Sequence, residues 1–374
     1  MSGDLAMRVR RELLTPPTGA YLNTAAEGLP MAAARDGYQR YLDAKSRGSI
    51  GRDTFAEIEH DARVAFAGLW GVPEGDVAFV ASTSRGIDAV IKSIEWSAGS
   101  SLVLPASEFP TAVGAADLLR AEGVLVRSVP SRPDGSLDER DVVAAIDEST
   151  RLVIMSVVSF KTGQHHHTDE IIARAHAVGA LVLLDCVQAL GQVECAAGEA
   201  DFACAASFKW LQGVHGAAGF YVNPAALESL RAPYAAYRGV VELFPRPPRG
   251  LELHQSARRY EEGMPDFGAL AVLVAGLGVS AAWRSEIPAH NGRLVGRLLD
   301  GLIALGADVL APRARRGSIV AFSTPRYADI AAALLAEGTT VWARDGRVRL
   351  SPHAYTTAAD IESVLVQLAR IGVR

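Results

Sequence analysis

Seven short, uninterrupted apolar runs separated by helical patterns constrain the fold of this chain most strongly. Since the runs lack polar alternation, each is typical of a strand buried on both faces of a parallel sheet. Helical patterns lie between several of them, and Thr168 is the predicted N-cap of the helix over 168–178. The runs are residues 77–81, 101–104, 124–129, 152–159, 181–185, 202–206 and 219–222.

Strands that alternate with helices predict an α/β domain, with a mostly parallel seven-stranded sheet covered on both faces. From about residue 281 the order changes to a long helix, a strand, a helix, two strands and a final helix, which predicts a small α+β domain at the C-terminus. The 374 residues, 49% of them hydrophobic, can bury both cores. We therefore predict an N-terminal segment, a large domain and a small domain over residues 1–30, 31–280 and 281–374.

The charge pattern argues against several classes of partner. A net charge of −5 gives no basic surface for nucleic acid or an anionic membrane. Residues 1–14 are charged throughout, and the longest uncharged stretch, 267–283, is Gly-rich and short for a membrane span, so we expect a cytoplasmic protein. Three cysteines, Cys186, Cys195 and Cys204, are an odd set with strand-like flanks, which favours buried thiols over a disulfide framework or a metal site.

Lysine is scarce, since only Lys45, Lys92, Lys161 and Lys209 occur. Lys209 follows one apolar strand and Asp185 ends the preceding one, so both are expected at the carboxyl edge of the sheet, where α/β proteins bind ligands. Pyridoxal phosphate needs an amine that holds its aldehyde and a carboxylate that keeps its ring nitrogen protonated. The pattern predicts this cofactor, with Lys209 as anchor and catalytic base and Asp185 as the partner of the ring.

Residues 81–86 close an apolar strand and open a helix. Backbone N–H groups and hydroxyls at a helix N-terminus favour phosphate, so we predict that Ser82, Thr83, Ser84 and Arg85 bind the cofactor phosphate. An ordinary capped helix is the alternative.

Further short motifs occur in a specific order along nearly the whole chain. They give it a resemblance to the class V aminotransferase family of fold type I pyridoxal phosphate enzymes, which includes cysteine desulfurases, kynureninases and isopenicillin N epimerase-like proteins. The motifs are residues 21–26, 108–111, 162–163, Asp185-x-x-Gln188, 209–211, 259–263 and 348–355.

The resemblance implies roles for single residues. Phe109 would stack on the cofactor, Gln188 would hydrogen-bond its phenolic oxygen, and Ser207 would offer a further hydroxyl to its phosphate. Arg349 would bind the α-carboxylate of the substrate through its planar fork, and Asn23 would approach the same carboxylate. A structural ion pair for Arg349 and simple packing for Ser207 are the alternatives.

The family also implies a homodimer with active sites at the interface. Met264 stands where the family usually has a Thr that reaches the neighbouring subunit's phosphate, which puts that contact in doubt. The triplet of histidines at 165–167 follows Thr162-Gly163 in a loop, where solvated side chains are favoured over a metal site.

We therefore expect a small amino acid as substrate and aminotransferase or C–S or C–C β-lyase chemistry, with a cysteine S-conjugate of specialised metabolism as one candidate. Cysteine desulfurase is disfavoured because no cysteine follows Cys204 to carry a persulfide. A kynureninase-like hydrolase, in which His would be usual where Gln188 stands, an amino-acid epimerase and a non-catalytic pyridoxal phosphate-binding module remain alternatives.

Overall fold

The structure is a computed structural model, which describes residues 4–242, 252–311 and 315–374. Its larger sheet has the order β1-β7-β6-β5-β4-β2-β3, in which β7 is antiparallel to both neighbours and the remaining pairs are parallel. The predicted α/β fold with a mostly parallel seven-stranded sheet is confirmed. The strands are β1 (Val77–Val80), β2 (Ser101–Pro105), β3 (Leu125–Val129), β4 (Thr150–Ser156), β5 (Leu181–Asp185), β6 (Phe202–Ala206) and β7 (Ala218–Val222).

Helices cover the sheet on both faces and bury two apolar cores. The last helix of this set, α8, is apolar on every side because it is buried against the two long helices near the N-terminus. Thr168 is the N-cap residue of α7, as predicted, but its side chain makes no capping hydrogen bond. The helices are α1 (Leu5–Glu12), α2 (Ala33–Ser46), α3 (Arg52–Trp70), α4 (Thr83–Ser93), α5 (Pro110–Ala121), α6 (Glu139–Ala145), α7 (Asp169–Ala177) and α8 (Phe267–Ser280).

A second, antiparallel sheet has the order β10-β11-β9-β8 and forms its own core with three helices. Leu22 from the N-terminal segment lies in this core, and Leu5 and Val9 of α1 pack near Tyr355. The division at residues 30 and 280 stays a prediction. The elements are α9 (Ile287–Ala304), β8 (Asp308–Val309), β9 (Val320–Ser323), α10 (Tyr327–Ala336), β10 (Trp342–Arg344), β11 (Arg347–Leu350) and α11 (Ala358–Ile371).

The loop after β4 is fastened to the chain that leads into β9. The carbonyl of Gly163 accepts from the amide of Gly317, and the amide of His165 donates to the carbonyl of Arg315, both at 2.9 Å. Gly163 has φ 79°, and a Cβ there would lie 2.1 Å from the carbonyl oxygen of Ile319. Only glycine fits this contact between the two sheets.

No single helix in the described ranges is long and apolar enough to cross a membrane. Two consecutive helical segments reach that length and apolar composition only when they are taken together, and a 73° bend separates them. They are Phe267–Ser280 and Arg284–Ala304.

Four charged side chains form a buried cluster beside the edge strand β1. Arg63 of α3 lies 2.5 Å from Glu59 and 2.8 Å from Glu261, and Arg238 contacts both acids. Arg63 also donates to the carbonyl of Val77, so the cluster covers the free edge of the sheet. Burial alone would raise the pKa of Glu261, but the two guanidinium groups outweigh burial and hold it below its ordinary value.

We expect Glu261→Gln to lower the free energy of unfolding by about 3 kcal/mol at neutral pH, because one buried carboxylate then faces two guanidinium groups. The contribution of Glu261 is complete above its unfolded pKa near 4.5 and is lost as the pH falls through the lower folded value. The deficit of the variant should therefore shrink in acid, which urea unfolding at several pH values measures.

Glu57→Gln is the matched control, since Glu57 forms an exposed ion pair with Arg40 and should contribute less than about 1 kcal/mol. Equal losses in the two variants would contradict the importance assigned to the buried cluster.

Candidate functional site

A cavity of about 360 Å³ lies at the carboxyl ends of β4, β5 and β6, beside the N-terminus of α4. Parallel α/β sheets bind ligands at this edge, because the strand ends and the helix N-termini meet there. Seven of the predicted site residues line it, namely Ser82, Thr83, Ser84, Phe109, Asp185, Gln188 and Lys209.

Lys209 follows β6, and its side chain is only 8% exposed. Burial lowers the pKa of its amine to about 8, although the charge of Asp185 acts in the opposite direction. The amine lies 5.7 Å from the ring centre of Phe109 and 5.5 Å from that of Phe208. A substantial fraction of this amine is therefore neutral near physiological pH and able to act as a nucleophile or base.

Asp185 is buried at the end of β5, and its carboxylate accepts a 2.9 Å hydrogen bond from the amide of Val187. Burial raises the pKa of this carboxyl group, while Val187 and the charge of Lys209 oppose the shift. A cation near Asp185 thus favours its ionised form.

The N-terminus of α4 supplies the polar end of the cavity. Ser82 caps the helix by accepting from the amide of Arg85 at 3.2 Å, and Ser84 hydrogen-bonds Thr111 at 2.9 Å. The hydroxyl of Thr83 is buried and has no partner within the described chain. Arg85 does not line the cavity, because its guanidinium is held by two carboxylates, those of Glu262 and Asp88.

Gln188, Trp210 and His353 form a chain of hydrogen bonds that holds the Lys209 loop. The indole of Trp210 donates to the side-chain oxygen of Gln188 at 2.8 Å, and Gln188 donates one of its two amide hydrogens to the carbonyl of Ala25 at 3.0 Å. His353 donates to the carbonyl of Trp210 at 3.1 Å, and burial lowers the pKa of this histidine to about 3, so it is neutral.

Arg349 lies on β11 and lines an adjoining cavity of about 830 Å³, which Lys209 also reaches. Its guanidinium is buried, donates to the carbonyl of Phe160 at 2.8 Å and leaves Nε without an acceptor. Burial lowers the pKa of Arg349 to about 9, and the neighbouring charge of Arg347 adds to the shift. Asn23 pairs through its backbone with Ser351, and its side chain does not line either cavity.

Besides those for Arg85 and Asn23, two further sequence expectations differ from the structure. Ser207 does not line the cavity, because it is fully buried and its hydroxyl donates to the carbonyl of Val214 at 2.7 Å. The three loop histidines are not all solvated, since His166 is buried and its Nδ1 lies 3.4 Å from a carboxylate oxygen of Glu139.

The cysteines are buried free thiols, as predicted. Within the described ranges, no three His, Cys, Asp or Glu side chains are grouped to hold a metal ion.

Glu108 is a site residue that the sequence analysis did not single out. It is buried at the end of β2, accepts from the amide of Ser156 at 2.7 Å and also from the hydroxyl of that residue. Burial raises its pKa to about 7, and the charge of Asp185 adds to the shift. Its place in the 108–111 motif, between an apolar strand and Phe109, was the available signal.

The chain is similar to proteins of one known family. The family model described as aminotransferase class-V matches residues 30–364. The chain is 30% identical to a cysteine desulfurase of Dickeya dadantii over 82% of this chain and 77% of the relative. It is 27% identical to a kynureninase of Pseudomonas fluorescens over 82% and 76%. The fold matches that of the cystine C–S lyase C-DES in complex with cysteine persulfide, with a TM-score of 0.87 and 21% identity, over 94% and 97% of the two chains.

The cavity fits the cofactor of this family. C-DES has also been solved with glycine covalently linked to its pyridoxal phosphate. In the present chain, a buried amine and a buried carboxylate share the cavity, and the unpartnered hydroxyl of Thr83 stands at a helix N-terminus suited to phosphate. The chain belongs to the aminotransferase class-V family and is a pyridoxal phosphate-dependent enzyme.

Proposed function

We propose that the enzyme binds the α-carboxylate of an L-amino acid at Arg349, removes the α-proton with Lys209 and eliminates a β-substituent. The favoured substrate is a cysteine S-conjugate or another small, sulfur-linked amino acid. One observation carries the proposal, since Lys209 lines both the cofactor cavity and the larger cavity that contains Arg349. The amine therefore stands between the place of the cofactor and the place of a substrate carboxylate.

Pyridoxal phosphate, when bound, supplies a conjugated ring that takes up the electron pair released at the α-carbon. Asp185 would partner the ring nitrogen, Phe109 would cover a ring face, and the remaining amide hydrogen of Gln188 would reach the phenolic oxygen. Thr83 would donate to the phosphate together with the helix amides. Lys209 would hold the aldehyde group of the cofactor, and its amine, when free, would accept the α-proton of the substrate.

Elimination is favoured over persulfide transfer because the chain lacks a suitable thiol. Its three cysteines are all buried, and burial raises the pKa of Cys204 well above its ordinary value, where the nucleophilic thiolate is scarce. The likeness to a cystine C–S lyase concerns the fold and is compatible with this choice.

We further infer a homodimer, as is usual for the family. Met264 is 55% exposed beside a small cavity that shares Ala81, Gly216 and Ala217 with the cofactor cavity. An exposed apolar side chain there is suited to contact with a second subunit, although Met cannot donate a hydrogen bond to a phosphate.

The decisive experiment incubates the cofactor-loaded enzyme in deuterated water with L-amino acids and cysteine S-conjugates. We expect α-hydrogen exchange, with pyruvate, ammonia and a thiol released in equal amounts from S-conjugates. Lys209→Arg should abolish both, whereas Lys92→Arg, at an exposed ion pair with Asp88, should leave them unchanged.

Other products would indicate a reaction different from the proposed β-elimination. A keto acid without ammonia indicates transamination, anthranilate from kynurenine indicates hydrolysis, and a D-amino acid indicates epimerisation. A loaded enzyme that exchanges and consumes nothing would be a non-catalytic binder.

Arg349→Gln is expected to weaken amino-acid binding by roughly 2–4 kcal/mol, because a charge-assisted carboxylate contact is lost. Titration of the cofactor absorbance measures this affinity, and the spectrum without substrate should stay the same. Arg297→Gln, at an exposed ion pair with Glu362 in the same part of the chain, is the control. If Arg349→Gln binds amino acids as tightly as the unmodified enzyme, the α-carboxylate of the substrate binds at another residue.

The lowered pKa of Lys209 predicts a distinctive pH profile in the cofactor-free protein. Its acetylation by trace acetic anhydride should reach half of its plateau near pH 8, because only the neutral amine reacts. Free Nα-acetyl-lysine, added as an internal reference, should need about pH 10.4. Asp185→Asn removes a charge that raises the pKa and should shift the profile to lower pH. Peptide mass spectrometry gives both profiles, and coincidence with the reference would contradict the buried amine.

A further inference from the structure

The larger cavity holds more positive charge than one α-carboxylate needs. Besides Lys209 and Arg349, its lining includes Lys161, Arg344 and Arg347. The carboxylates that line it are fewer: Glu108, Asp117 and Asp345. An excess of cations in a concave, partly buried site attracts anionic ligands.

Arg347, like Arg349, is a cation of this lining whose guanidinium has an unused hydrogen-bond donor within the described ranges. Its side chain is 13% exposed, and its Nε is buried without an acceptor among the described residues. The carboxylate of Asp345 lies 3.7 Å from Arg347, which is beyond hydrogen-bond distance, and that acid is itself 65% exposed. Burial lowers the pKa of Arg347. A buried guanidinium N–H without an acceptor is costly, and an anionic ligand would remove that cost.

Arg347 and Arg349 are held side by side. They are two positions apart on β11 and so lie on the same face, about 7 Å apart along the strand. Both guanidinium groups lie over the ring of Trp342, at 5.3 and 4.8 Å from its centre, and Trp342 is the cross-strand partner of Arg349. The ring restrains the two planar forks.

Lys161 completes the group from the loop after β4. It follows Phe160, whose carbonyl accepts the hydrogen bond from Arg349. Burial lowers the pKa of Lys161, and the charge of Arg347 is the next largest cause. The charges of Asp345 and Glu108 act in the opposite direction. Lys161 and Arg347 line the same cavity, so an anion bound between them would be attracted by both.

We propose that the substrate side chain ends in a second anionic group, a carboxylate or sulfonate, which binds between Arg347 and Lys161 while Arg349 binds the α-carboxylate. This inference rests on the proposed function of Arg349. S-carboxymethyl-L-cysteine, whose short side chain ends in a carboxylate, represents this class of substrate.

The test compares S-carboxymethyl-L-cysteine with its amide, S-(2-amino-2-oxoethyl)-L-cysteine, which has the same shape and no second charge. Affinities come from titration of the cofactor absorbance of the loaded enzyme. We expect the acid to bind at least about ten-fold more tightly than the amide, as for a charge-assisted contact.

Arg347→Gln and Lys161→Gln should each reduce this preference, and the double variant should reduce it to about two-fold or less. Lys45→Gln, which removes one charge from an exposed position on α2, is the matched control and should keep it. Asp345→Asn should raise the preference, because Asp345 competes for Arg347. Since Asp345 has φ 52°, which Asn tolerates well, this variant should fold.

Two outcomes would overturn the inference and leave the proposed function intact. In the first, the unmodified enzyme binds the acid and the amide with equal affinity. In the second, the double variant keeps the preference for the acid. If other amino acids change the cofactor spectrum but neither of these compounds does, the proposal that the substrate carries a second anionic group is wrong. If no amino acid changes it, the proposed function falls as well.

Discussion

The burial of a lysine amine and an aspartate carboxylate at one edge of the large sheet is the constraint on which the site depends. Each ion would cost several kcal/mol to bury alone. Here burial moves the pKa of both groups toward their neutral forms, while their mutual attraction opposes the shift. The strand ends and the α4 N-terminus supply polar groups to the cavity that both residues line. The protonation states of Lys209 and Asp185 therefore respond strongly to any charge placed next to them. A cofactor with a protonated ring and a phosphate supplies such charges.

The rest of the chain holds the Lys209 loop from two sides. Gly28 of the N-terminal segment lies so close that a Cβ there would be 1.9 Å from the carbonyl oxygen of Lys209. On the other side His353 donates to Trp210, and since burial keeps this histidine neutral, the contact does not change across physiological pH. Lys209 is therefore positioned by segments from both ends of the sequence.

The sequence predicted the parts of the molecule that follow from local periodicity. Continuous apolar runs identified all seven strands of the large sheet, and the order of their ends placed Asp185 and Lys209 in one cavity. Long-range contacts decided what was wrong or missed. Arg85 precedes Glu262 by 177 positions, and nothing local indicates that this acid removes Arg85 from the phosphate end. Ser207 has a suitable hydroxyl, but the loop that follows it brings the carbonyl of Val214 within hydrogen-bond distance.

Helices α2, α3 and α8 were also not predicted. The uniformly apolar composition of α8 carries no period that distinguishes a buried helix from a strand or a membrane segment. In the sequence, Arg347 looks like any exposed residue of a strand. The anion-binding role proposed for it depends on the neighbouring Trp342 and Lys161.

The close contact of Gly163 with Ile319 joins the two sheets, so segments that are distant in sequence should move together. The loop over 162–165 is fastened to 315–319, and Phe160 within the same loop accepts the hydrogen bond from Arg349. The ring of Phe160 also packs edge-on against Phe109, 5.2 Å away at the cofactor cavity. A rotation of the small sheet would therefore carry the guanidinium of Arg349 and an aromatic wall of the cavity together. If Arg349 binds the substrate as proposed, closure over the substrate and exclusion of water from the cofactor cavity would occur as one movement.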